Sequence, residues 1–392
     1  MKTKITNIVK YNRTVYAIYY YCMSFLINAL KVFVKPDDKL ILFNSFAGRK
    51  YDDSPKELFE QIKKDPRFSE YRLVWAFHDP EKFEVEGAEK IKTDGLQYFV
   101  TALKARVWIT NSSVERGLNF KGKHTFYLNT WHGTPMKKMG SDISADNTSF
   151  TSKAKNKTDA MNAQGKFDAD IFSRVFGIPR ERFLEVGLPR NDRLVNYTEE
   201  ERQAIRSRLD IAGDKKVILY APTFREYEKD ENMGCVLAPP MDLKKWESEL
   251  SDRYVLLFRA HYEVAKVMEI EENEFVRNMT NYPSLDDLMI AADVLVSDYS
   301  SVFFDFSVMN KPMLHFTYDY DKYSALRGMY FDIREMLAGG STEDEVIALL
   351  QDETQLAGLT GKTVAFRNRF VNYYGEAAEK TVEFLAKELN LD

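Results

Sequence analysis

The chain is poor in the residues that most often carry metal, redox or proton chemistry. Its 392 residues include two cysteines, Cys22 and Cys235, and five histidines. Two cysteines so far apart give neither a disulfide framework nor a zinc spacing, and they read as unpaired thiols in a reducing compartment. The sequence has no GxxxxGK[ST] loop, no GxGxxG fingerprint and no HExxH. P-loop, simple dinucleotide-oxidoreductase and zincin readings therefore lose their warrant. Asp298 and Asp305, seven positions apart, are a weak metal signal better read as capping or ribose contact, so neither metal nor cofactor is expected. The formal net charge of -5 offers nothing global to nucleic acid. No internal repeat and no low-complexity tract interrupts the chain.

What is present is a large, aromatic-rich globular sequence. Its length is about twice that of a usual domain, so two domains are expected. Hydrophobic content is 44 % and aromatic content 14 %, enough for sizeable cores. The charge is uneven. Residues 1–36 carry Lys2, Lys4, Lys10, Arg13, Lys31 and Lys35 and no acidic residue. Between Arg13 and Lys31 run seventeen uncharged residues, TVYAIYYYCMSFLINAL. That is the lower limit for a membrane span, and tyrosine favours the headgroup level. With no small-residue cleavage site following, the segment reads as a helix lying in or dipping into a membrane interface, held by Lys and Arg on anionic lipid. The plain alternative is a buried first helix of the fold.

From Lys39 the pattern alternates. KLILFNSF (39–46), YRLVWAFH (71–78), RVWITNSS (106–113) and KHTFYLNTWHG (123–133) read as strands, with a helix starting at Ser54 before Pro55. After a charged joint at 192–214 a second series begins, with strands at KKVILYAPTFRE (215–226), DRYVLLFRAHYE (252–263) and ADVLV before SDYSSVFFDF. The alternation predicts an α/β fold with two mostly parallel sheets. The polar residues worth noting all fall at the carboxyl ends of strands, where open parallel sheets bind ligands.

Three such ends stand out. In SDYSSVFFDF, Ser297, Ser300 and Ser301 cluster with Asp298 where a helix would begin, a pattern suited to phosphate; a simple N-cap needs only one of them. In APTFR, Thr223 and Arg225 share a strand end, and in RAHY, Arg259 and His261 fall on one side of an extended chain. Arginine forks onto phosphate oxygens, and histidine exchanges a proton near neutrality. In NTWHGTPMKKMG, His132 stands between Trp131 and a Gly133-Thr134-Pro135 turn, with Lys137 and Lys138 behind it. Neighbouring cations favour the neutral ring, the form a general base needs. The plain alternative is a core histidine bonded to backbone.

Taken in order, NTWHGTPMKKMG, FGIPRERFLEVGLPRNDRL (176–194), ILYAPTFRE, LLFRAHY, DLMIAADVLVSDYSSVFFDF and RGMYFDI (327–333) resemble the CDP-glycerol glycerophosphotransferase family, the teichoic acid enzymes of Gram-positive bacteria. ILFNSFAGRKYDDSPKELFEQIKKDPRF (41–68) is similar to that family's amino-terminal sheet, so the resemblance covers residues 38–385. It implies a GT-B fold, two Rossmann-like domains facing across a cleft: residues 37–200 for the acceptor and 201–392 for a CDP-alditol donor, after a membrane-associating helix in 1–36. It implies catalytic histidines at His132 and His261, and a donor phosphate site at Ser300 and Ser301, with Arg225, Arg259 and Asp298 around it. Thr134 and Lys137 would support the acceptor. The acceptor would be an undecaprenyl-linked saccharide or a teichoic acid chain, and the protein would be peripheral on the cytoplasmic face of the membrane. The family's long polymerases carry a large amino-terminal domain, and a compact member without it is expected. The motifs do not separate primase, short-chain polymerase and CDP-ribitol transferase, and they leave a homo-oligomer open. A nucleotide-sugar GT-B glycosyltransferase and a non-enzymatic membrane scaffold are the readings from other classes.

Overall fold

The structure, a computed structural model, describes residues 12–143, 156–223, 225, 229–230, 234–235, 241–260 and 270–391. The described residues form two compact units. The first holds the chain up to His132, Met139–Asp192 and the chain end from Glu376; the second holds Gly133–Lys138 and Arg193–Gly375.

The first unit is built on a seven-stranded parallel sheet. Its strands are β1 (Asp37–Asn44), β2 (Arg72–Phe77), β3 (Glu89–Lys92), β4 (Ala105–Thr110), β5 (Phe126–Asn129), β6 (Ala160–Ala163) and β7 (Phe183–Glu185), in the order β3-β2-β1-β4-β5-β6-β7. The middle of β1, Leu40-Ile41-Leu42-Phe43, is apolar at every position because helices cover both faces of the sheet. Alternate residues go to opposite faces. Ile41 and Phe43 pack with Leu58 and Phe59 of the helix Asp53–Lys64 and with Val382 and Leu385. Leu40 and Leu42 pack with Trp108, Tyr98 and Ile27 on the other side.

The second unit carries a six-stranded parallel sheet: β8 (Lys216–Ala221), β11 (Tyr254–Phe258), β12 (Val276–Asn278), β13 (Val294–Ser297), β14 (Met313–Phe316) and β15 (Ala338–Gly340), ordered β12-β11-β8-β13-β14-β15. A short antiparallel ribbon pairs β9 (Lys229–Asp230) with β10 (Gly234–Cys235). Ile218, Tyr220, Leu256 and Phe258 meet Trp246, Leu250, Val346 and Leu350 in its core.

Two expectations change. The boundary anticipated at 200/201 falls at Asp192, and the last helix, Ala377–Glu388, returns to the first unit. Both carboxylate oxygens of Asp192 cap that helix, accepting from Ala377 N at 2.9 Å and Ala378 N at 2.7 Å. The Asn162 amide donates to Thr381 Oγ1 at 2.8 Å. The amino-terminal segment is a helix, Arg13–Leu30, as expected, but it is docked by one face. Ile27 is buried, Tyr16 Oη donates to Gly117 O, and Asn28 Nδ2 donates to Asn119 O. The opposite face leaves Ile18, Tyr21, Phe25 and Leu26 exposed, followed by Val32 and Phe33. Among the described residues, no helix is long and apolar enough to cross a membrane.

Candidate active site

Each sheet has a switch point, where the strand order reverses and a crevice opens at the carboxyl ends. In the first unit it lies between β1 and β4. After β1 the backbone enters the left-handed region at Phe46, Ala47 and Gly48, with φ 46°, 56° and 88°. Phe46 N donates to Asn111 Oδ1 at 2.7 Å and Ala47 N to Ser112 Oγ at 3.0 Å, so the residues that end β4 hold this turn. A Cβ on Gly48 would lie 2.7 Å from Thr93 Cγ2, so a side chain there would crowd Thr93 and strain the left-handed backbone.

His132 stands at the end of the neighbouring strand. β5 stops at Asn129, earlier than the expected 133, because Asn129 Oδ1 accepts from Trp131 N at 2.8 Å and Trp131 turns left-handed, φ 51°. The Trp131 indole stacks on the imidazole, with centroids 4.2 Å apart, and leans on Phe176. Nδ1 of His132 lies 2.7 Å from the carbonyl oxygen of Asn111. A carbonyl only accepts, so Nδ1 carries the proton and Nε2 keeps its lone pair. Burial pushes the ring's pKa below its ordinary 6.5; the bond to Asn111 and the Asp53 carboxylate oppose this, and Arg190 adds to it. The neutral base form is thus favoured, as expected, but burial and Arg190 cause it, in place of Lys137 and Lys138. Thr134, expected to support an acceptor, is fully buried. Lys137 is half-buried and bridges to Met329.

In the second unit the switch point lies between β8 and β13. Thr223 and Arg225 follow β8, Ser297 ends β13 and Asp298 to Ser301 follow it, so the structure gathers these two motifs at one place. Ser300 and Ser301 are half-buried at the start of the helix Val302–Ser307. Thr223 Oγ1 is buried and has no hydrogen-bond partner among the described residues.

Arg225 and Asp298 are enclosed: each side chain is 2 % exposed and they pair with each other, Nη1 to Oδ2 at 2.9 Å. Nε and Nη2 of Arg225 grip Asp319 at 2.8 and 2.9 Å, and Tyr299, Tyr318 and Tyr323 surround the guanidinium at 4.9–5.1 Å. Burial works against that charge, but Asp298, Asp319 and Tyr318 more than offset it and raise the pKa. The second oxygen of Asp298 accepts from Thr223 N at 2.8 Å and Tyr299 N at 2.7 Å. The pair thus ties the β8 loop to the serine turn, and a buried ion needs such partners to be tolerated. Arg259, at the end of β11, donates Nη1 to the carbonyls of Met279 and Tyr282, bracing the loop after β12. His261 lies outside the described residues. Sequence reasoning missed Asn111, Asp319 and the three tyrosines, whose partners are distant in the chain.

Comparison with known proteins shows the family. Residues 26–387 match the family model described as CDP-glycerol:poly(glycerophosphate) glycerophosphotransferase. The teichoic acid glycerol-phosphate transferase of Staphylococcus aureus is 33 % identical over 370 residues, 90 % of this chain and 94 % of that protein. The teichoic acid poly(glycerol phosphate) polymerase of Staphylococcus epidermidis is 37 % identical over 320 residues; the match takes in 78 % of this chain and 44 % of the longer polymerase. A solved structure of the wall teichoic acid polymerase TagF, a histidine-to-asparagine variant soaked with CDPG, superposes with a TM-score of 0.84 at 31 % identity, covering 94 % of this chain and 93 % of that one. A poly(ribitol-phosphate) polymerase is more distant, at 29 % over 225 residues. The chain belongs to the CDP-glycerol:poly(glycerophosphate) glycerophosphotransferase family and is a transferase of glycerol phosphate from CDP-glycerol.

Proposed function

We propose that the acceptor of the glycerol phosphate is a lipid-linked teichoic acid precursor. His132 Nε2 takes the proton of an acceptor hydroxyl. The oxygen attacks the β-phosphorus of CDP-glycerol, and the bond from that phosphorus to the oxygen of CMP breaks. The serine turn at Ser300 and Ser301 faces the donor phosphates, and His261 neutralises charge or protonates the departing CMP. Positioning and charge stabilisation supply most of the acceleration in such transfers. The reading is carried by one observation: the Asn111 carbonyl holds the proton on Nδ1 and leaves Nε2 with its lone pair, at the end of the strand beside β4. The test is CMP release from CDP-glycerol and from CDP-ribitol, using a synthetic lipid-linked disaccharide with and without one glycerol phosphate. CMP from CDP-glycerol is expected. A preference for the bare disaccharide assigns a primase, and a preference for the primed one a polymerase. Release from CDP-ribitol alone, or from neither donor, contradicts the reading.

We further propose that the amino-terminal helix lies on the cytoplasmic membrane surface, where a lipid-linked acceptor is reached. Ile18, Tyr21 and Phe25 recur at helical spacing on the face that the protein leaves open, and Phe25 is 73 % exposed. An apolar face of this kind marks an interaction surface, and the basic, acid-free residues 1–36 suit an anionic bilayer. Ile18→Glu with Phe25→Glu should abolish co-sedimentation with phosphatidylglycerol vesicles and leave CMP release on a water-soluble acceptor analogue unchanged. Undiminished co-sedimentation of the double variant contradicts this placement.

A further inference from the structure

We propose that the ion pair of Asp53 and Arg190 is a positioning device for His132, gripping the backbone carbonyl of that residue and so fixing the aim of its ring. The proposal rests on the reading of His132 as the base.

A single nitrogen makes the link. Arg190 Nη1 donates to Asp53 Oδ2 at 2.8 Å and to the carbonyl oxygen of His132 at 3.0 Å. The two side chains are 13 % and 4 % exposed. The partners come from three places in the first unit: Asp53 opens the helix after β1, His132 follows β5, and Arg190 sits in the turn after β7. Asp53 and Arg190 are 137 positions apart. A buried ion pair is weak evidence for stability, since desolvation consumes much of its attraction. Its specific output here is a fixed peptide plane on the carboxyl side of His132.

That plane is one of three anchors. On the amino side, Asn129 Oδ1 holds Trp131 N and keeps Trp131 left-handed. On the ring, Asn111 O holds Nδ1. A left-handed tryptophan is an unfavourable backbone state that persists only where its surroundings over-determine it. Asp53 is also left-handed, φ 66°, a state aspartate tolerates better than most residues. The structure therefore holds strained backbone on both sides of the device. With its backbone held on each side and its ring tied, His132 has one direction left for Nε2. The segments DDSP and GLPRNDRL, which the catalytic reading leaves without a role, both supply the pair. Their neighbours keep it in place: Arg190 N donates to Ser54 Oγ at 3.3 Å, and Asn191 Nδ2 donates to Gln164 Oε1 at 2.9 Å.

The test uses the full chain with Asp53→Asn, Asp53→Gly, Arg190→Gln and Arg190→Lys. Asparagine keeps the shape and the left-handed tolerance of aspartate and removes only the charge. CMP release gives kcat and the KM for CDP-glycerol; nitrogen-15 NMR of labelled histidine reads the tautomer of His132, assigned with His132→Asn among only five histidines. A misplaced reacting group loses up to about 10²-fold in rate. Asp53→Asn and Arg190→Gln should therefore lower kcat by about 10- to 100-fold with KM within about twofold, and His132 should leave its single Nδ1–H tautomer. Arg190→Lys, which still carries a donor for the carbonyl, should recover part of kcat. Full kcat in the two charge-removing variants overturns the proposal, as does lost kcat with the tautomer unchanged. Activity kept in Asp53→Gly, which relieves the backbone while deleting the carboxylate, also overturns it. If His132→Asn itself keeps its turnover, the base reading fails, and the tautomer alone then decides whether the pair fixes the ring.

Discussion

Replacing His132 by alanine is expected to lower kcat for CMP release by about 10²- to 10⁴-fold, the usual worth of a positioned general base. The KM for CDP-glycerol should change little, because the residues assigned to the donor belong to the second unit and His132 to the first. The fold should survive. Among the described residues the imidazole makes one hydrogen bond, to Asn111 O, so its removal takes away a single polar contact. The pH profile supplies a second check. Burial sets the pKa of His132 below 6.5, so the base stays neutral further into acid than a free histidine does. Activity should be lost as pH falls through that lowered value, which puts the acid limb of kcat/KM below 6.5, and the limb should vanish in the alanine variant. Near-full turnover of His132→Ala removes the base assignment, and an acid limb at or above 6.5 removes the burial argument.

The sequence makes His132 legible but hides its supports. A rare histidine at a strand end beside a Gly-Thr-Pro turn is a local signal, and so is the serine cluster after ADVLV. The strands were legible for the same reason: the apolar runs at 39–46 and 71–78 became β1 and β2 with shifts of one or two residues. What fixes the chemistry is not local. Asn111 is 21 positions from His132, and Asp319 is 94 from Arg225. Nothing in the neighbourhood of either asparagine or aspartate marks it as a partner. Arg225 is the second case. An arginine at a strand end beside a phosphate-like turn reads as a phosphate ligand, and only the fold shows that two carboxylates and three tyrosines have enclosed it. The domain joint was legible as the charged stretch 192–214, and the unit ends at its first residue, Asp192; what the sequence hid is that the Asp192 carboxylate caps a helix 185 positions later.

Replacing Arg225 by methionine is expected to destabilise the protein by about 3–5 kcal/mol, the cost of breaking a buried pair from one side. Asp298 and Asp319, at side-chain exposures of 2 % and 15 %, would lose the cation they both pair with. At about 2–4 °C per kcal/mol, the melting temperature should fall by roughly 10 °C. Arg225→Lys should recover little. An ammonium cannot reach Asp298 and fork onto both oxygens of Asp319 while filling the space between three rings. Adding Asp298→Asn to Arg225→Met should restore part of the loss, because the double variant buries one uncompensated carboxylate fewer. Function should follow stability here. Asp298 Oδ1 holds Thr223 N and Tyr299 N, so loosening the pair frees the β8 loop and the serine turn together. The KM for CDP-glycerol should therefore rise in Arg225→Lys even at temperatures where that variant is folded. A variant that melts like the parent but binds donor weakly would instead return Arg225 to direct contact with phosphate, so calorimetry and donor titration on the same samples separate a scaffold from a ligand.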